Sequence, residues 1–269
     1  MPLFHIIVLA LIQGLTEFLP VSSSAHLILG SQLMGWEDQG LVFDVATHLG
    51  TLLAVFIYFR QDLVEMALAC MRPLSNDANN DRQSQARKMV WFLALASVPA
   101  LLVGFLAKDL VEFYLRDLRI IAVTTLVFGG LLWLADWLGK RSKSLQEINW
   151  RSALWIGLAQ ALALVPGVSR SGITITAGRF LGFNADAAAR FSFLLAIPII
   201  AAAGGYGALK VALGEAPINW QQFFMAMGFA AVAGWVCIAA FLALLQKVGL
   251  MPFIIYRLGL GVLLLWLLF

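Results

Sequence analysis

Long apolar segments separated by short polar loops dominate the pattern of hydrophobic and polar residues along this chain. Six uninterrupted apolar segments have the length of roughly 18 to 25 residues that a membrane-crossing helix needs. They cover about residues 41–60, 89–107, 119–138, 187–209, 220–245 and 252–269. The pattern therefore predicts six transmembrane helices.

Two further apolar stretches, about 3–30 and 152–182, differ from these spans because each is interrupted at its centre. Pro20 and Pro166 are each followed by a cluster of serines. Proline removes a backbone donor, and broken helices at membrane depth are tolerated only where they line a cavity inside the protein. We therefore predict two re-entrant helical hairpins, with a functional site at their tips.

The chain also resembles itself. An offset of 147 residues matches five positions of the two interrupted stretches, and an offset of 142 residues extends the likeness into the spans that follow them. The first offset pairs Gln13 with Gln160, Leu15 with Leu162, Val21 with Val168, Ser22 with Ser169 and Ser24 with Ser171. Because three predicted spans separate the copies, the second copy should be inverted in the membrane. We predict an all-α polytopic membrane protein with one domain (1–269), formed by repeats at about 1–138 and 152–269.

Composition and charge agree with a membrane protein. Hydrophobic residues make up 61% of the chain and charged residues only 12%, whereas soluble domains carry about 25% charged residues. There is no basic arm that would indicate a nucleic-acid partner. The loops at 60–88, 139–151 and 246–251 hold most of the Lys and Arg residues, so these loops should face the cytoplasm and both chain ends the outside.

The first interrupted stretch carries several polar residues in a suggestive order. Gln13 and Glu17 lie four residues apart, on one helical face, before three serines and a histidine: Ser22, Ser23, Ser24 and His26. A helix that starts near Ser22 would be capped by a serine and would direct free backbone amides toward an anion. Ser23 and His26 are three residues apart, which is the minimum arrangement for a base-activated nucleophile. The alternative is a buried histidine with no chemical role.

Glu17 stands out because an ionisable side chain within an apolar hairpin costs about 2.5 to 3.5 kcal/mol on insertion scales. Its functional roles would be that of a ligand to a hard divalent cation or of a proton donor and acceptor. Its structural role would be an ion pair with Arg170 that only fastens the two hairpins together.

The second interrupted stretch resembles an anion-binding nest. Arg170 offers a bidentate fork to phosphate oxygens, and glycine lets the backbone approach a ligand closely. The other candidate ligands of the anion are Gly167, Ser169, Ser171 and Thr174. Leu164 and Ile173 stand where the first copy has Glu17 and His26, so the two copies have specialised and neither suffices alone.

These residues resemble the signatures of a known family, the bacterial undecaprenyl-diphosphate phosphatases, also called bacitracin-resistance proteins. The first signature is an acidic or glutamine residue four positions before a glutamate, followed by proline and serines, and runs here from Gln13 to His26. The second runs from Pro166 to Ser171, with Thr174 three residues further on. Size, hydropathy and repeat layout agree over the whole chain.

The resemblance implies hydrolysis of undecaprenyl diphosphate to the monophosphate and inorganic phosphate, which recycles the lipid carrier of cell-wall synthesis. It also implies a divalent cation, Mg²⁺ or Ca²⁺, and a place in the bacterial inner membrane with the active site open to the outer face. By match to the motifs, Ser23 would be the nucleophile or a phosphate contact, His26 its acid–base partner, Glu17 a metal ligand or base, and Arg170 the diphosphate clamp. Many members have glutamate where this chain has Gln13, so Gln13 would orient Glu17 or a water.

Two other functions fit parts of the pattern. Inverted repeats with broken helices are typical of secondary transporters or lipid flippases, in which Glu17 would couple protons and Arg170 would anchor the substrate. A vanadium-type lipid phosphatase also uses Ser, His and Arg, but its paired histidine motifs are missing. The sequence leaves open whether a phosphoserine forms or water attacks directly, and it does not indicate an oligomeric state.

Overall fold

The computed structural model describes residues 2–36, 40–71, 80–115, 117–139, 142–214 and 218–268. Within these ranges the regular structure is helical, apart from one isolated β-bridge between Lys143 and Phe183. The α-helices are α1 Leu3–Phe18, α2 Ser23–Met34, α3 Gly40–Tyr58, α4 Arg60–Met71, α5 Asn80–Tyr114, α6 Leu118–Leu138, α7 Trp150–Ala161, α8 Arg170–Phe180, α9 Ala185–Ala212, α10 Trp220–Val248 and α11 Met251–Trp266. Two short 3-10 helices, Leu145–Glu147 and Leu162–Leu164, flank α7.

Five helices in the described part of the chain are long and apolar enough to cross a membrane. They are α3, α5 over Asp81–Ala107, α6, α9 and α10. The all-helical prediction is confirmed, and the chain is a multi-pass membrane protein. The sixth predicted span, 252–269, forms the shorter helix Met251–Trp266 of 16 residues. At 1.5 Å per residue this helix is about 24 Å long, less than a hydrocarbon core of about 30 Å.

Residues 60–71 and 80–88, which the sequence places in a loop between two spans, are helical. Residues 60–71 form α4, and α5 already begins at Asn80. Asp62 lies in the first turn of α4, where a negative charge favours the helix dipole. At the other end, the Arg87 guanidinium donates two hydrogen bonds to the carbonyl of Ala69, at 2.9 and 2.6 Å. A polar segment can therefore stay helical because its terminal groups find partners.

Both interrupted stretches break where the proline and serine clusters predict. In the first, α1 ends at Phe18 and α2 begins at Ser23. In the second, α7 ends at Ala161, the 3-10 helix after it ends at Leu164, and α8 begins at Arg170. Each break is a short segment of non-helical backbone, which is called here a serine turn: residues 19–22 form the first and residues 165–169 the second.

The helices that carry the serine turns are held by close helix crossings. Helix α10 packs on α1 and α3, whereas α5 packs on α7 and α9, and α11 packs on α6. Gly14 of α1 lets α10 approach so closely that an added Cβ would lie 2.6 Å from the carbonyl oxygen of Ala230. Gly157 of α7 admits the backbone of Ala96 on α5 in the same way. Small residues at such crossings allow the close backbone contact by which membrane helices associate.

Candidate functional site

The first serine turn presents its hydroxyls at the start of α2. Ser22 has the left-handed backbone angle φ of 72°, and its Oγ accepts a hydrogen bond from the amide of Ala25 at 3.4 Å. The Ser22 and Ser24 hydroxyls are also hydrogen-bonded, at 3.1 Å. A serine therefore caps this helix, as its sequence predicts.

The second serine turn has the same local geometry. Ser169 has a φ of 66°, and its Oγ accepts from the amide of Gly172 at 3.1 Å. The hydroxyls of Ser169 and Ser171 lie 3.2 Å apart. The 147-residue offset thus relates equivalent caps, equivalent hydroxyl pairs and equivalent left-handed residues.

Gly167 is the residue of the second turn that must be glycine. Its φ is +89°, and a Cβ there would overlap Thr124 Oγ1 and would lie 2.6 Å from the carbonyl oxygen of Ile121. The Thr124 hydroxyl donates to the carbonyl of Pro166 at 2.7 Å. The turn is therefore pressed directly against α6.

Each serine turn is hydrogen-bonded to a serine in the helix that follows the other turn. The amide of Gly167 donates to Ser24 Oγ at 3.5 Å, and Ser171 Oγ donates to the carbonyl of Leu19 at 2.8 Å. Ser24 and Ser171 are themselves equivalent under the 147-residue offset. The structure therefore brings both motifs into one site.

Glu17 is the centre of that site. Its Oε2 accepts from Gln13 Nε2 at 2.9 Å and from Ser23 Oγ at 3.1 Å. Its Oε1 lies 3.3 Å from Arg170 Nη2, and both side chains are largely buried. The other terminal nitrogen of Arg170, Nη1, donates a hydrogen bond to the carbonyl of Ser192 at 2.9 Å. The carboxylate is thus compensated by one cation and two neutral donors.

A small polar cavity of about 160 Å³ lies between the turns. Its walls carry one carboxylate, one guanidinium and four serine hydroxyls. The lining residues are Glu17, Ser22, Ser23, Ser24, Ala163, Val165, Ser169 and Arg170. A cavity with this set of donors suits a small anion rich in oxygen atoms.

A larger cavity of about 510 Å³ adjoins the polar one and has mostly apolar walls. Glu17 and Arg170 line both cavities, so their ion pair stands at the junction. The other walls come from α3, α5, α7, the 3-10 turn and α9: His48, Ala100, Leu101, Gly104, Phe105, Gln160, Ala163, Leu164, Ile199, Ile200, Ala202, Ala203 and Tyr206. An amphiphile with an anionic head and an apolar tail matches this pair of cavities.

The His26 ring is hydrogen-bonded to groups other than Ser23, its predicted partner. Its Nδ1 lies 2.7 Å from the carbonyl oxygen of Ser22, and its Nε2 lies 2.7 Å from the Tyr256 hydroxyl, on which the ring also stacks. A carbonyl oxygen only accepts, so Nδ1 carries a proton, and in the neutral imidazole Nε2 accepts from Tyr256. The structure pairs Ser23 with Glu17 rather than with His26, because the imidazole is turned back onto its own helix.

Thr174 lies one helical turn behind Arg170. Its hydroxyl is hydrogen-bonded to Ser192 Oγ and to the carbonyl of Arg170, at 2.7 and 2.8 Å. The bond to Ser192 ties α8 to α9. In this structure Thr174 therefore supports the residue that lines the cavity.

Two residues of α11 belong to the site and were not anticipated. Tyr256 donates to His26, and Arg257 is fully buried against the backbone of both serine turns. The sequence did hold a signal, because Arg257 is an ionisable residue inside an otherwise apolar segment.

The oxygen donors at Glu17 fit a hard divalent cation that is also held by substrate. In the described residues no cluster of three or more acidic, histidine or cysteine side chains could hold a metal alone. Gln13 Oε1, however, is buried without a hydrogen-bond partner beside the Glu17 carboxylate. Mg²⁺ in particular is commonly held by one or two carboxylates together with substrate phosphates. Glu17, which lines both cavities, fits this role, and Gln13, which lines neither, would add its unpartnered Oε1 beside it.

Comparison with known proteins gives one consistent result. A family model described as bacitracin resistance protein BacA matches residues 6–263. Undecaprenyl-diphosphatase 1 of Pseudoalteromonas translucida (strain TAC 125) is 52% identical over 262 residues, which are 97% of each chain. The undecaprenyl-diphosphatase of Colwellia psychrerythraea (strain 34H) is 53% identical over 269 residues, 99% of each chain. That of Alteromonas mediterranea is 47% identical over 100% of each chain. This chain, whose two serine turns meet at one buried carboxylate, therefore belongs to the bacitracin resistance protein BacA family.

Proposed function

We propose that this protein is a membrane phosphatase that hydrolyses undecaprenyl diphosphate to undecaprenyl phosphate and inorganic phosphate. Its family and the names of relatives of about 50% identity support this activity. The structural observation that carries it is the Glu17 carboxylate, bound by a serine hydroxyl and a guanidinium at the junction of a polar and an apolar cavity. The diphosphate occupies the polar cavity, and the polyprenyl tail extends along the apolar one.

Arg170 binds the substrate by its guanidinium fork. Charge accumulates on the phosphoryl oxygens during transfer, and a buried cation stabilises that charge without reorganising water. The bond from Arg170 to the carbonyl of Ser192 keeps the fork oriented. When the substrate binds, its phosphate oxygens replace Glu17 as the hydrogen-bond partner of Arg170 Nη2.

Glu17 is the base for Ser23. The hydrogen bond between them gives a direct path for the proton from Ser23 Oγ to the carboxylate as Oγ attacks the terminal phosphorus. The bond from that phosphorus to the bridging oxygen then breaks, and undecaprenyl phosphate leaves. Water then attacks the phosphoserine, the bond between Ser23 Oγ and phosphorus breaks, Oγ takes back the proton from Glu17, and inorganic phosphate leaves. Direct attack by a water that Glu17 deprotonates is the other route.

A divalent cation, Mg²⁺ or Ca²⁺, completes the proposed site. When bound, it would neutralise part of the charge of the diphosphate. Glu17 and Gln13 would hold it from the protein side, and the phosphates would supply further oxygens. Gln13 also donates to Glu17 and so fixes the orientation of the carboxylate.

The proposed topology has six spans and two re-entrant hairpins related by inversion, in the bacterial inner membrane. The equivalent geometry of the serine turns supports a duplicated architecture, and the predominance of basic residues in loops 60–88, 139–151 and 246–251 supports a cytoplasmic position for them. Both chain ends and the opening of the site then face the periplasm. Because α11 is short for a span, either its flanking residues extend it across the membrane or the bilayer is thinner around it.

A phosphate-release assay tests the function. Purified protein is given a polyprenyl diphosphate with Mg²⁺, with Ca²⁺ or with a chelator, beside Ser23→Ala and the control Arg190→Ala. Arg190 pairs with Asp186 and lines neither cavity. We expect release from the wild type and the control, and little from Ser23→Ala. If the folded wild type releases no phosphate under any of these conditions, the phosphatase proposal is wrong, and the result favours the transport alternative.

A further inference from the structure

Arg257 of α11 is a fully buried cation whose side chain is surrounded by carbonyl oxygens. Its Nε donates to the carbonyl of Thr125 at 3.2 Å. Its Nη1 donates to Pro20 at 3.3 Å, and its Nη2 donates to Gly167 at 2.9 Å and to Val168 at 2.5 Å. One side chain therefore bonds to both serine turns and to α6.

The two turn contacts are related by the internal repeat. Pro20 and Gly167 stand 147 residues apart, the same offset that relates Ser22 to Ser169. The two arms of one guanidinium thus bind the equivalent carbonyls of both copies. A planar fork holds its donors at a fixed spacing, which a single ammonium group does not.

The surroundings of Arg257 are adapted to it. Gly172 leaves the room that Nη1 occupies, since a Cβ at this glycine would overlap that nitrogen. No carboxylate of the described residues lies within ion-pair distance of Arg257. A buried charge that is balanced only by carbonyl dipoles is unfavourable for stability alone, so its presence points to a function.

The serine turns need such a restraint. Ser22 and Ser169 are both held in the left-handed region, with φ of 72° and 66°. Non-glycine residues stay there only when their surroundings hold them in place. The carbonyls that precede these residues, of Pro20 in one turn and of Gly167 and Val168 in the other, are those that Arg257 binds.

We propose that Arg257 is a positioning residue that joins the equivalent carbonyls of both serine turns and thereby sets the separation of Ser23 and Arg170 across the polar cavity. This rests on the proposed phosphatase function. Arg257 lines neither cavity, so it acts through the turns and not on the substrate.

Kinetics distinguish this role from one of charge alone. Arg257→Lys keeps a positive charge but loses the fork, whereas Arg257→Met loses both. A misplacement of about 1 Å in a reacting group can lower the rate about 10²-fold. We expect both variants to lose about that factor in kcat, with a smaller change in KM. Recovery of wild-type kcat in Arg257→Lys would show that charge suffices and would overturn the proposal.

A distance measurement tests the same idea without turnover. Leu15 and Leu162 are equivalent, exposed positions on the helical arms of the two turns. Spin labels at Leu15→Cys and Leu162→Cys, in full-length protein with Cys70→Ser, report the separation of the arms by pulsed electron paramagnetic resonance. Cys237 is buried and stays unlabelled. We expect a narrow distance distribution for Arg257 and a shifted or broader one for both variants.

Arg179→Lys is the matched control. Arg179 is equally buried, but it pairs with Asp136 and with the carbonyl of Phe183, away from the turns. We expect it to keep both the distance distribution and kcat, even if it lowers stability. An unchanged distribution in Arg257→Lys and Arg257→Met would overturn the proposal. If the wild type does not hydrolyse the substrate, the phosphatase function fails, and the distances alone decide whether Arg257 joins the turns.

Discussion

Ser23 and Arg170 occupy equivalent positions in the two copies, and their side chains bind opposite oxygens of the same carboxylate, that of Glu17. Each is the first residue of the helix that follows a serine turn. Two turns of equivalent backbone geometry thus deliver two different groups to one point: a hydroxyl after the first turn and a guanidinium after the second.

The Arg170 clamp leads to a prediction about charge and geometry. Arg170→Lys keeps the charge but cannot bind two phosphate oxygens as a planar fork, and Arg170→Ala removes both properties. Loss of one preorganised donor to developing charge costs about 10² to 10³ in kcat. We expect at least that loss in the alanine variant and a smaller one in the lysine variant, measured by phosphate release from purified protein. Equal, wild-type rates in both variants would rule out the clamp.

The bond between Glu17 and Ser23 leads to a prediction about the intermediate. If Ser23 is the nucleophile, acid quenching during turnover of substrate labelled in its terminal phosphate should trap label on Ser23. Peptide mapping locates it, and Ser144→Ala serves as the control because Ser144 bonds to Glu147 and lines neither cavity. Rapid turnover without any trapped label, together with residual hydrolysis by Ser23→Ala, would favour direct attack by water.

Much of the site could be predicted from the sequence because local patterns encode it. Proline followed by serines marks the breaks, and the offset that aligns Ser22 with Ser169 relates residues that share a left-handed backbone. The likeness of the two interrupted stretches predicts that their tips meet, which brings Glu17 and Arg170 together, and the cost of a lone Glu17 in an apolar hairpin favours a partner for it. Such arguments use only local sequence patterns, the internal likeness of the chain and the low polarity of the membrane.

What sequence reasoning missed depends on contacts between distant segments. His26 lies three residues from Ser23, yet its ring is held by Tyr256, which is 230 residues away. Arg257 lies within the predicted span 252–269. Nothing nearby in sequence indicates which carbonyl groups surround it. Residues 60–71 lie between two predicted spans and read as part of a loop, whereas the structure has them as α4. These features are set by tertiary packing, which one sequence does not display.

The neutral Gln13 leads to a prediction about metal dependence. Gln13→Glu would place a second carboxylate beside Glu17, which would bind a hard cation more strongly but would repel the first carboxylate in its absence. We expect a chelator to stop phosphate release by the wild type. We also expect Gln13→Glu to need a lower concentration of Mg²⁺ or Ca²⁺ for half-maximal rate. Titration of each cation against activity measures this, and an unchanged midpoint would show that residue 13 does not bind the metal.

The second serine turn leads to a prediction about stability. Gly167→Ala would force a Cβ into Thr124 and Ile121 at a positive φ. A strained backbone of this kind costs of order 1–3 kcal/mol, and the overlap with α6 adds to it, so we expect a lower Tm and a loss of phosphate release.

The control is Gly130→Ala on α6, where an added Cβ meets nothing within 4 Å. Alanine stabilises a helix by up to about 1 kcal/mol relative to glycine. We therefore expect the control to keep its activity and to show an unchanged or slightly higher Tm. Thermal unfolding in detergent, followed by tryptophan fluorescence, compares the two. If Gly167→Ala unfolds at the same temperature as Gly130→Ala and keeps its activity, the turn is not pressed against α6 as described, and Ser169 and Arg170 would have to be held in place by other contacts.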